Sequence, residues 1–328
     1  MSSQKRVVIT GAGGFIGSHV AEAALTAGFA TTLLLRYSSQ AGIGNLSDVD
    51  PRLVGRANLV WSDVTDGRSL ARIVEGADAV IHLAALIGIP YSYVAPESYL
   101  NTNVTGTLNV LEAARQGGVG RMVIVSTSEV YGDAETGRIA ETHPLKPQSP
   151  YAATKVAAEA LGRAWSQSFD QPVTVIRPFN TFGPRQSLRA VIPTIISQAL
   201  AGDTVRLGSL WPLRDFTYVT DTAEALLVAA TGGEMGLGPY NLGTGRSVSV
   251  AEIVTLVGRH IGRDLAVVTD PDRVRPAEGE VDRLTADNRL FRAACGWTAR
   301  TSLEDGLART IEHIRARPVP AAASAYRI

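Results

Sequence analysis

Tyr151 and Lys155 are the pair whose types and spacing could do acid–base chemistry. They stand four apart in Y-A-A-T-K, at the start of a stretch that reads as a helix, so both side chains share one face. A free phenol titrates near ~10 and is a poor base at neutral pH. Lowering it by ~3 units takes ~4 kcal/mol. An ammonium ~4 Å away at an effective dielectric of ~20 supplies about that much. Such a pair can take the proton of a hydroxyl while a hydride leaves the same carbon. Thr127, at the end of a preceding strand-like run, adds a hydroxyl to the constellation.

A hydride needs an acceptor, and Thr10–Gly17 offers a place for one. The segment reads T-G-A-G-G-F-I-G, directly after the first strand-like run and opening the first helical stretch. Gly11 permits a tight turn, Gly14 lets a pyrophosphate approach the backbone, and Gly17 allows close helix–sheet packing. The free N–H groups that follow, from Phe15 and Ile16 to Gly17, would hold the phosphates together with the helix dipole. Strand, loop and helix in that order predict a dinucleotide site, and an oxidised nicotinamide would add positive charge beside the phenol. The second strand then ends Leu35-Arg36-Tyr37-Ser38-Ser39, where an acidic residue would mark NAD. Arg36 instead offers a fork for a 2′-phosphate, and Ser38 a further donor. NADP is therefore the expected cofactor, with NAD as the alternative.

The elements that must position these residues alternate regularly. Strand-like runs over 6–10, 31–36, 58–62, 79–84 and 121–126 are separated by helical stretches over 17–27, 69–74 and 98–116. A helix over 151–169, a strand over 173–177 and a helix over 191–201 continue the rhythm. This βαβ order predicts an α/β fold, a doubly wound parallel (Rossmann) sheet covered on both faces. Beyond residue 180 the chain is rich in Gly and Pro, with helices over 220–230, 249–261 and 303–314. We read residues 1–180 as the dinucleotide-binding domain and 181–316 as a smaller α/β substrate-binding lobe whose chain crosses back to the first domain. Residues 317–328 read as a frayed tail.

Composition narrows the rest. The 328 residues carry 31 Lys plus Arg and 31 Asp plus Glu, a net charge of zero, which argues against binding nucleic acid or a membrane by bulk charge. One cysteine, Cys295, cannot form an internal disulfide and reads as packing. Five histidines are scattered, and no His/Cys cluster has metal-ligand spacing, so no metal is expected. No apolar run approaches the ~18 residues of a membrane helix, and the N-terminus enters a strand without a signal-peptide core. A soluble, cytoplasmic protein is the expectation.

The glycine loop, Ser126-Thr127, Tyr151-x-x-x-Lys155 and the run R-P-F-N-T-F-G-P at 177–184 together resemble the extended short-chain dehydrogenase/reductase superfamily. Within it they are similar to nucleotide-sugar epimerases and 4,6-dehydratases. Closest in pattern are those acting on GDP-mannose and on GDP- or UDP-linked N-acetylglucosamine. The matching stretches are S-T-S-E-V-Y-G (126–132), S-P-Y-A-A-T-K (149–155), R-D-F-T-Y-V-T-D (214–221) and E-V-D-R-L-T-A-D (280–287). The resemblance implies further cofactor contacts from H-L-A-A (Leu83, Ala84 and Ala85) and from Asp63-Val64 at the adenine. It also implies a substrate, a nucleotide-diphosphate sugar, clamped by Arg214 and Arg275. Asn180 would meet a phosphate or sugar oxygen, Ser92 the sugar ring, and Val191 and Leu207 the base. Members pair the helices corresponding to 98–116 and 151–169 across a twofold axis, so a homodimer is expected.

Dehydration, epimerisation and decarboxylation in this family all begin with oxidation of the sugar at C-4. The residue two after Thr127 separates dehydratases from simple 4-epimerases, whereas UDP-glucuronate decarboxylases carry a similar Thr-Ser-Glu and differ in the Tyr–Lys segment. A 4,6-elimination needs a base near C-5, and Glu129 is a carboxylate in that place. The dTDP-glucose enzymes show Thr-Asp-Glu, whereas this chain has Thr127-Ser128-Glu129, as the GDP-mannose type does. Glu129 would then serve as both base and acid, oriented by Ser128. The expected activity is a nucleotide-sugar 4,6-dehydratase giving a 4-keto-6-deoxy sugar. A 4-epimerase or UDP-glucuronate decarboxylase is the alternative, and a non-catalytic dinucleotide-binding protein a remote one.

Overall fold

Short runs of aliphatic and β-branched residues build a sheet buried on both faces. The computed structural model describes residues 4–37, 42–134, 137–233, 235–273 and 281–317, so Ser38, Arg275 and the tail from 318 lie outside the described residues. The first half contains β1 (Arg6–Thr10), α1 (Phe15–Thr26), β2 (Ala30–Leu35), α2 (Pro51–Val54), β3 (Asn58–Trp61), α3 (Gly67–Val74) and β4 (Ala79–His82). It continues with α4 (Ile89–Val94), α5 (Pro96–Tyr99), α6 (Gly106–Gln116), β5 (Met122–Val125), α7 (Pro150–Phe169) and β6 (Val173–Pro178). The six strands read from the sequence in this half are found to within two residues. The expected helix over 98–116 starts earlier, at Pro96, and is interrupted by a widened π turn over Leu100–Thr105.

The second half contains β7 (Asn180–Phe182), α8 (Val191–Ala201), β8 (Thr204–Leu207), β9 (Leu213–Tyr218), α9 (Val219–Thr231), β10 (Tyr240–Leu242) and β11 (Ser247–Ser249). It ends with α10 (Val250–Ile261), β12 (Ala266–Thr269), β13 (Arg283–Leu284), α11 (Arg289–Cys295) and α12 (Leu303–Ala316).

Seven strands form one all-parallel sheet in the order β10-β6-β5-β4-β1-β2-β3. The order reverses between β1 and β4, which opens a crevice at the carboxyl ends of those strands, where α/β sheets bind ligands. Strand periodicity sorts the core into two layers. Val7 and Ile9 face α1 and α9 (Val20, Ala24, Leu226, Ala229), while Val8 faces α3 and α6 (Leu70, Val74, Val110, Leu111). Both α9 and β10 therefore join the larger sheet although they lie late in the chain.

The remaining strands form a smaller layer, β11-β9-β13 with β7 also on β9, and a separate parallel pair of β8 and β12. Its core gathers Ile192, Ile195, Ile196, Val205, Phe216, Ile253 and Leu307. Asp215 of β9 pins it. Fully buried, it accepts the backbone N–H groups of Thr244 (2.9 Å), Gly245 (2.8 Å) and Ala286 (3.1 Å) and the Thr244 hydroxyl (2.6 Å). Substituting Asp215→Ala strands those donors and is expected to destabilise the protein by about 3 kcal/mol or more. Denaturant unfolding midpoints, compared with the milder Asp215→Asn, check this.

Candidate active site

The turn after β1 forms a cradle for a phosphate-bearing group. Gly11 adopts φ +70°, and a Cβ there would meet the Ala84 nitrogen at 2.8 Å. A Cβ at Gly17 would lie 2.1 Å from the Gly11 carbonyl, so only glycine lets α1 start this close to the turn. Gly14 precedes α1 in extended conformation, no side chain caps the helix, and no acidic residue stands in its first turn. The N–H groups of Phe15, Ile16 and Gly17 are thus left for an anion. Across the crevice, the Thr10 hydroxyl accepts the N–H groups of Leu83 (3.2 Å) and Ala84 (3.1 Å), fixing the Leu83-Ala84-Ala85 segment against the glycine turn. His82 bridges Thr10 (2.8 Å) and Thr107 (3.1 Å), and burial together with the Lys155 charge holds its pKa down at about 3, so it works as a neutral strut. These residues fit a dinucleotide.

The adenosine end is mixed. Arg36 is exposed just past β2. Asp63 is exposed after β3, its carboxylate folded onto the Thr65 N–H (2.9 Å) and hydroxyl (2.8 Å). The Val64 side chain, expected at the adenine, packs instead into the core beneath α6, and its carbonyl accepts the Asn109 amide at 3.0 Å.

The acid–base groups meet at the carboxyl end of β5. The strand stops at Val125 and, past Ser126, turns through a short 3₁₀ segment, Ser128–Val130, capped by the Thr127 hydroxyl, which accepts the Glu129 N–H at 3.2 Å. Helix α7 begins alongside, with Ser149 capping the Ala152 N–H (3.1 Å) and Pro150 in its first turn. Tyr151 and Lys155 follow one turn apart, both buried. The phenol is hydrogen-bonded to the Thr127 side chain and feels the Glu129 carboxylate. The Lys155 amine donates to the Val125 carbonyl at 2.6 Å.

The electrostatics correct one expectation. The helical spacing alone predicts that Lys155 lowers the phenol. In the folded chain burial pushes the Tyr151 phenol up, the Thr127 bond opposes this, and the Glu129 charge reinforces it. Burial also pulls the Lys155 amine down to about 8, opposed by Glu159. Desolvation dominates both groups and the Lys155 amine is committed to the Val125 carbonyl, so the phenol needs further positive charge beside it before it becomes a useful base.

Substrate-side expectations fare unevenly. Arg214 is buried on β9 beside Asp215, with Nη1 donating to the Leu213 carbonyl at 3.1 Å. Asn180 is half-buried on β7. Val191, half-buried, opens α8 and packs on the lobe core, and Leu207 lies inside that core, so it offers no open wall to a base. Ser92 is 0% exposed and its hydroxyl donates to the Ile89 carbonyl in its own helix at 2.6 Å. That leaves it no proton for a sugar. Ser128 is buried under the turn, its carbonyl accepting the Tyr131 N–H at 3.1 Å. Among the described residues no cluster of His, Cys, Asp and Glu could hold a metal, and no helix is long and apolar enough to cross a membrane. Cys295 is half-buried at the end of α11, against the larger core.

A family model described as GDP-mannose 4,6 dehydratase matches residues 8–310. The chain belongs to that family. It is 33% identical to a dTDP-glucose 4,6-dehydratase of Mycolicibacterium smegmatis, over 95% of this chain and 93% of that one. It is also 33% identical to a UDP-glucose 4-epimerase of the same organism, over 94% of this chain and 98% of the relative. The solved structure of DesIV, a dTDP-glucose 4,6-dehydratase from Streptomyces venezuelae with NAD and TYD bound, matches with a TM-score of 0.83 and 31% identity, over 95% of this chain and 97% of that chain.

Against the family pattern, sequence reading passed over two residues beside the phenol. Asn103, inside the widened turn, accepts the Leu86 N–H (2.8 Å) and donates to the Leu86 carbonyl (3.0 Å) and the Thr154 hydroxyl (3.0 Å). It thereby ties the loop after β4 to the turn of α7 between Tyr151 and Lys155. Tyr99 packs edge-on to Tyr151, ring centroids 6.3 Å apart, and its hydroxyl donates to the Gly88 carbonyl at 2.5 Å. An asparagine in mid-helix, a poor helix former, was the available signal for the first. Asn103→Ala removes three bonds and is expected to cost about 2–3 kcal/mol, read as a lowered thermal midpoint.

Proposed function

We propose that this chain is a nucleotide-sugar 4,6-dehydratase working through transient oxidation at C-4. The observation that carries the reading is Glu129, half-buried on the turn after β5, with its N–H bonded to the Thr127 hydroxyl and its carboxylate near enough to act on the Tyr151 phenol. A 4-epimerase has no use for a base at C-5, whereas elimination across C-5 and C-6 requires one. A nicotinamide dinucleotide held by the Gly11–Gly17 turn would supply the hydride acceptor for C-4, the hydride donor for C-6 and a positive charge beside the phenol. Tyr151 takes the C-4 hydroxyl proton, with Thr127 orienting the phenol and Lys155 holding its charge nearby. Glu129 takes the C-5 proton and passes it to the C-6 hydroxyl, which leaves as water. As hydride reaches C-6, C-5 takes up one proton, matched by release of the one Tyr151 took from O-4, so both groups return to their starting states and the product is a 4-keto-6-deoxy sugar nucleotide.

Phosphates of the substrate fall to Arg214, and to Arg275 by family resemblance. NADP is the proposed dinucleotide, on the strength of exposed Arg36 at the end of β2; NAD, which DesIV holds, is the alternative. Residues 1–180, joined by α9 and β10, form the dinucleotide-binding half, and the remaining chain to 316 the substrate lobe. A cytoplasmic homodimer is proposed, pairing the helical rod from 96 to 116 with α7, whose Leu100 and Phe169 are 51% and 49% exposed.

Purified protein given GDP-mannose, UDP-N-acetylglucosamine, dTDP-glucose and UDP-glucuronate is expected to yield a product lighter by one water. Unchanged mass with altered retention would instead mean epimerisation, and loss of carbon dioxide decarboxylation. Glu129→Gln is expected to keep C-4 oxidation and slow dehydration roughly 10²-fold or more; parental turnover removes Glu129 from the mechanism. Arg36→Asp gives up a charged hydrogen bond of about 1.5–3 kcal/mol. Titration of the two dinucleotides should show preference moving to NAD, and a parent that already prefers NAD refutes the NADP assignment.

A further inference from the structure

The mechanism leaves unused a buried ion pair directly beneath the proton-transfer groups. Glu159 lies one turn beyond Lys155 on α7, so Tyr151, Lys155 and Glu159 form one stripe of buried polar side chains. Arg177 of β6 grips both Glu159 oxygens, Nε to Oε1 at 2.9 Å and Nη2 to Oε2 at 2.5 Å, with side chains only 4% and 9% exposed. The Ser126 hydroxyl donates to the same Oε1. The other arm of Arg177 donates to the Tyr131 hydroxyl at 2.8 Å, which donates to Asn241 Oδ1 at 2.6 Å.

Every attachment flanks a group of the proposed chemistry. Ser126 precedes Thr127, Tyr131 follows the turn that carries Glu129, Glu159 follows Lys155, and Arg177 leads the strand toward Asn180. Apolar side chains of similar volume often replace a buried ion pair in proteins without loss of stability, so the pair calls for a role besides stability. Charged and titratable groups around Lys155 are few. Tyr151 and Glu159 share its helix, neutral His82 faces it from β4, and Arg177 stands behind Glu159 on β6. Glu129, from the turn after β5, acts on Tyr151.

We propose that Glu159, held by Arg177, is a positioning residue for proton transfer. It fixes the Ser126–Thr127 strand end to the helix of Tyr151 and supplies the negative charge facing the Lys155 ammonium. The inference rests on the roles of Tyr151 and Lys155 given above, and burial's pull on the Lys155 amine, which Glu159 opposes, is consistent with it.

Lysine is rare enough here for a direct test. The chain has three, Lys5, Lys146 and Lys155, so the spectrum of protein labelled with ¹³Cε-lysine holds three signals, and Lys155→Arg assigns the third. The parental Lys155 signal is expected to titrate near pH 8. In Glu159→Gln its midpoint should fall by about one pH unit, the alkaline limb of kcat should move with it, and KM for the nucleotide sugar should hold. Glu159→Gln/Arg177→Met strands no buried guanidinium, guards against misfolding of the single variant, and should show a fall in the same direction but smaller, because a positive charge leaves with the carboxylate. An unmoved midpoint in the folded variants overturns the electrostatic role. Ser126→Ala keeps the charge and should lower kcat at constant KM and midpoint; parental kcat overturns the strand-end role. The titration needs no substrate, so its outcome is separate from that of the dehydratase reading.

Discussion

An ammonium ion buried where parallel strands run out is the interaction on which the crevice depends. The carboxyl edge of a parallel sheet presents carbonyls that have no further strand residue to pair with, and the Val125 carbonyl receives Lys155 there. Taking a cation out of water is costly, so the surroundings must compensate it. Glu159 one turn along does so, and Arg177 compensates Glu159 in turn. The phenol shares the same dry site without an anchored countercharge of its own, and burial therefore moves it away from basicity. Shape and charge are prepared on the protein side, while the last increment of positive field has to come from what the cradle holds.

That cradle is held by neutral bonds. One hydroxyl, on Thr10, takes two N–H groups of the loop after β4, and His82 passes the restraint on to α6 through Thr107. A charged imidazole next to Lys155 would repel it, and burial prevents that. Glycines at 11 and 17 let the turn close to distances no side chain tolerates, so the N–H groups that open α1 and the acid–base groups past β5 share the carboxyl edge of one sheet.

The smaller lobe reaches the crevice through long-range pins. Asp215 gathers two loops and β9 into one unit, and Asp221 does the same for residues 300 and 301 at the start of the last helix. Arg185 bonds Ser18 and Glu22 of α1, its carbonyl accepts the Asn45 amide, and its N–H donates to His313 of α12. The lobe is thus fastened to the same helix that opens over the cradle.

The residues themselves disclosed the alternation of strand and helix, the glycine turn, the helical spacing of Tyr151 and Lys155, and hence the sheet and its crevice, because each rests on local periodicity or on backbone chemistry only glycine permits. Nothing local marks Glu159, Arg177, Asn103 or Asp215 as partners of groups 18 to 71 positions away. Nor does periodicity reveal that Ser92, Val64 and Leu207 turn inward, since a small or aliphatic side chain suits either face until packing chooses. The balance of charge went the same way. A pair spacing gives the sign of an interaction in water, but how far burial overrides it depends on how much chain closes over the pair, and that is decided only when the fold is complete.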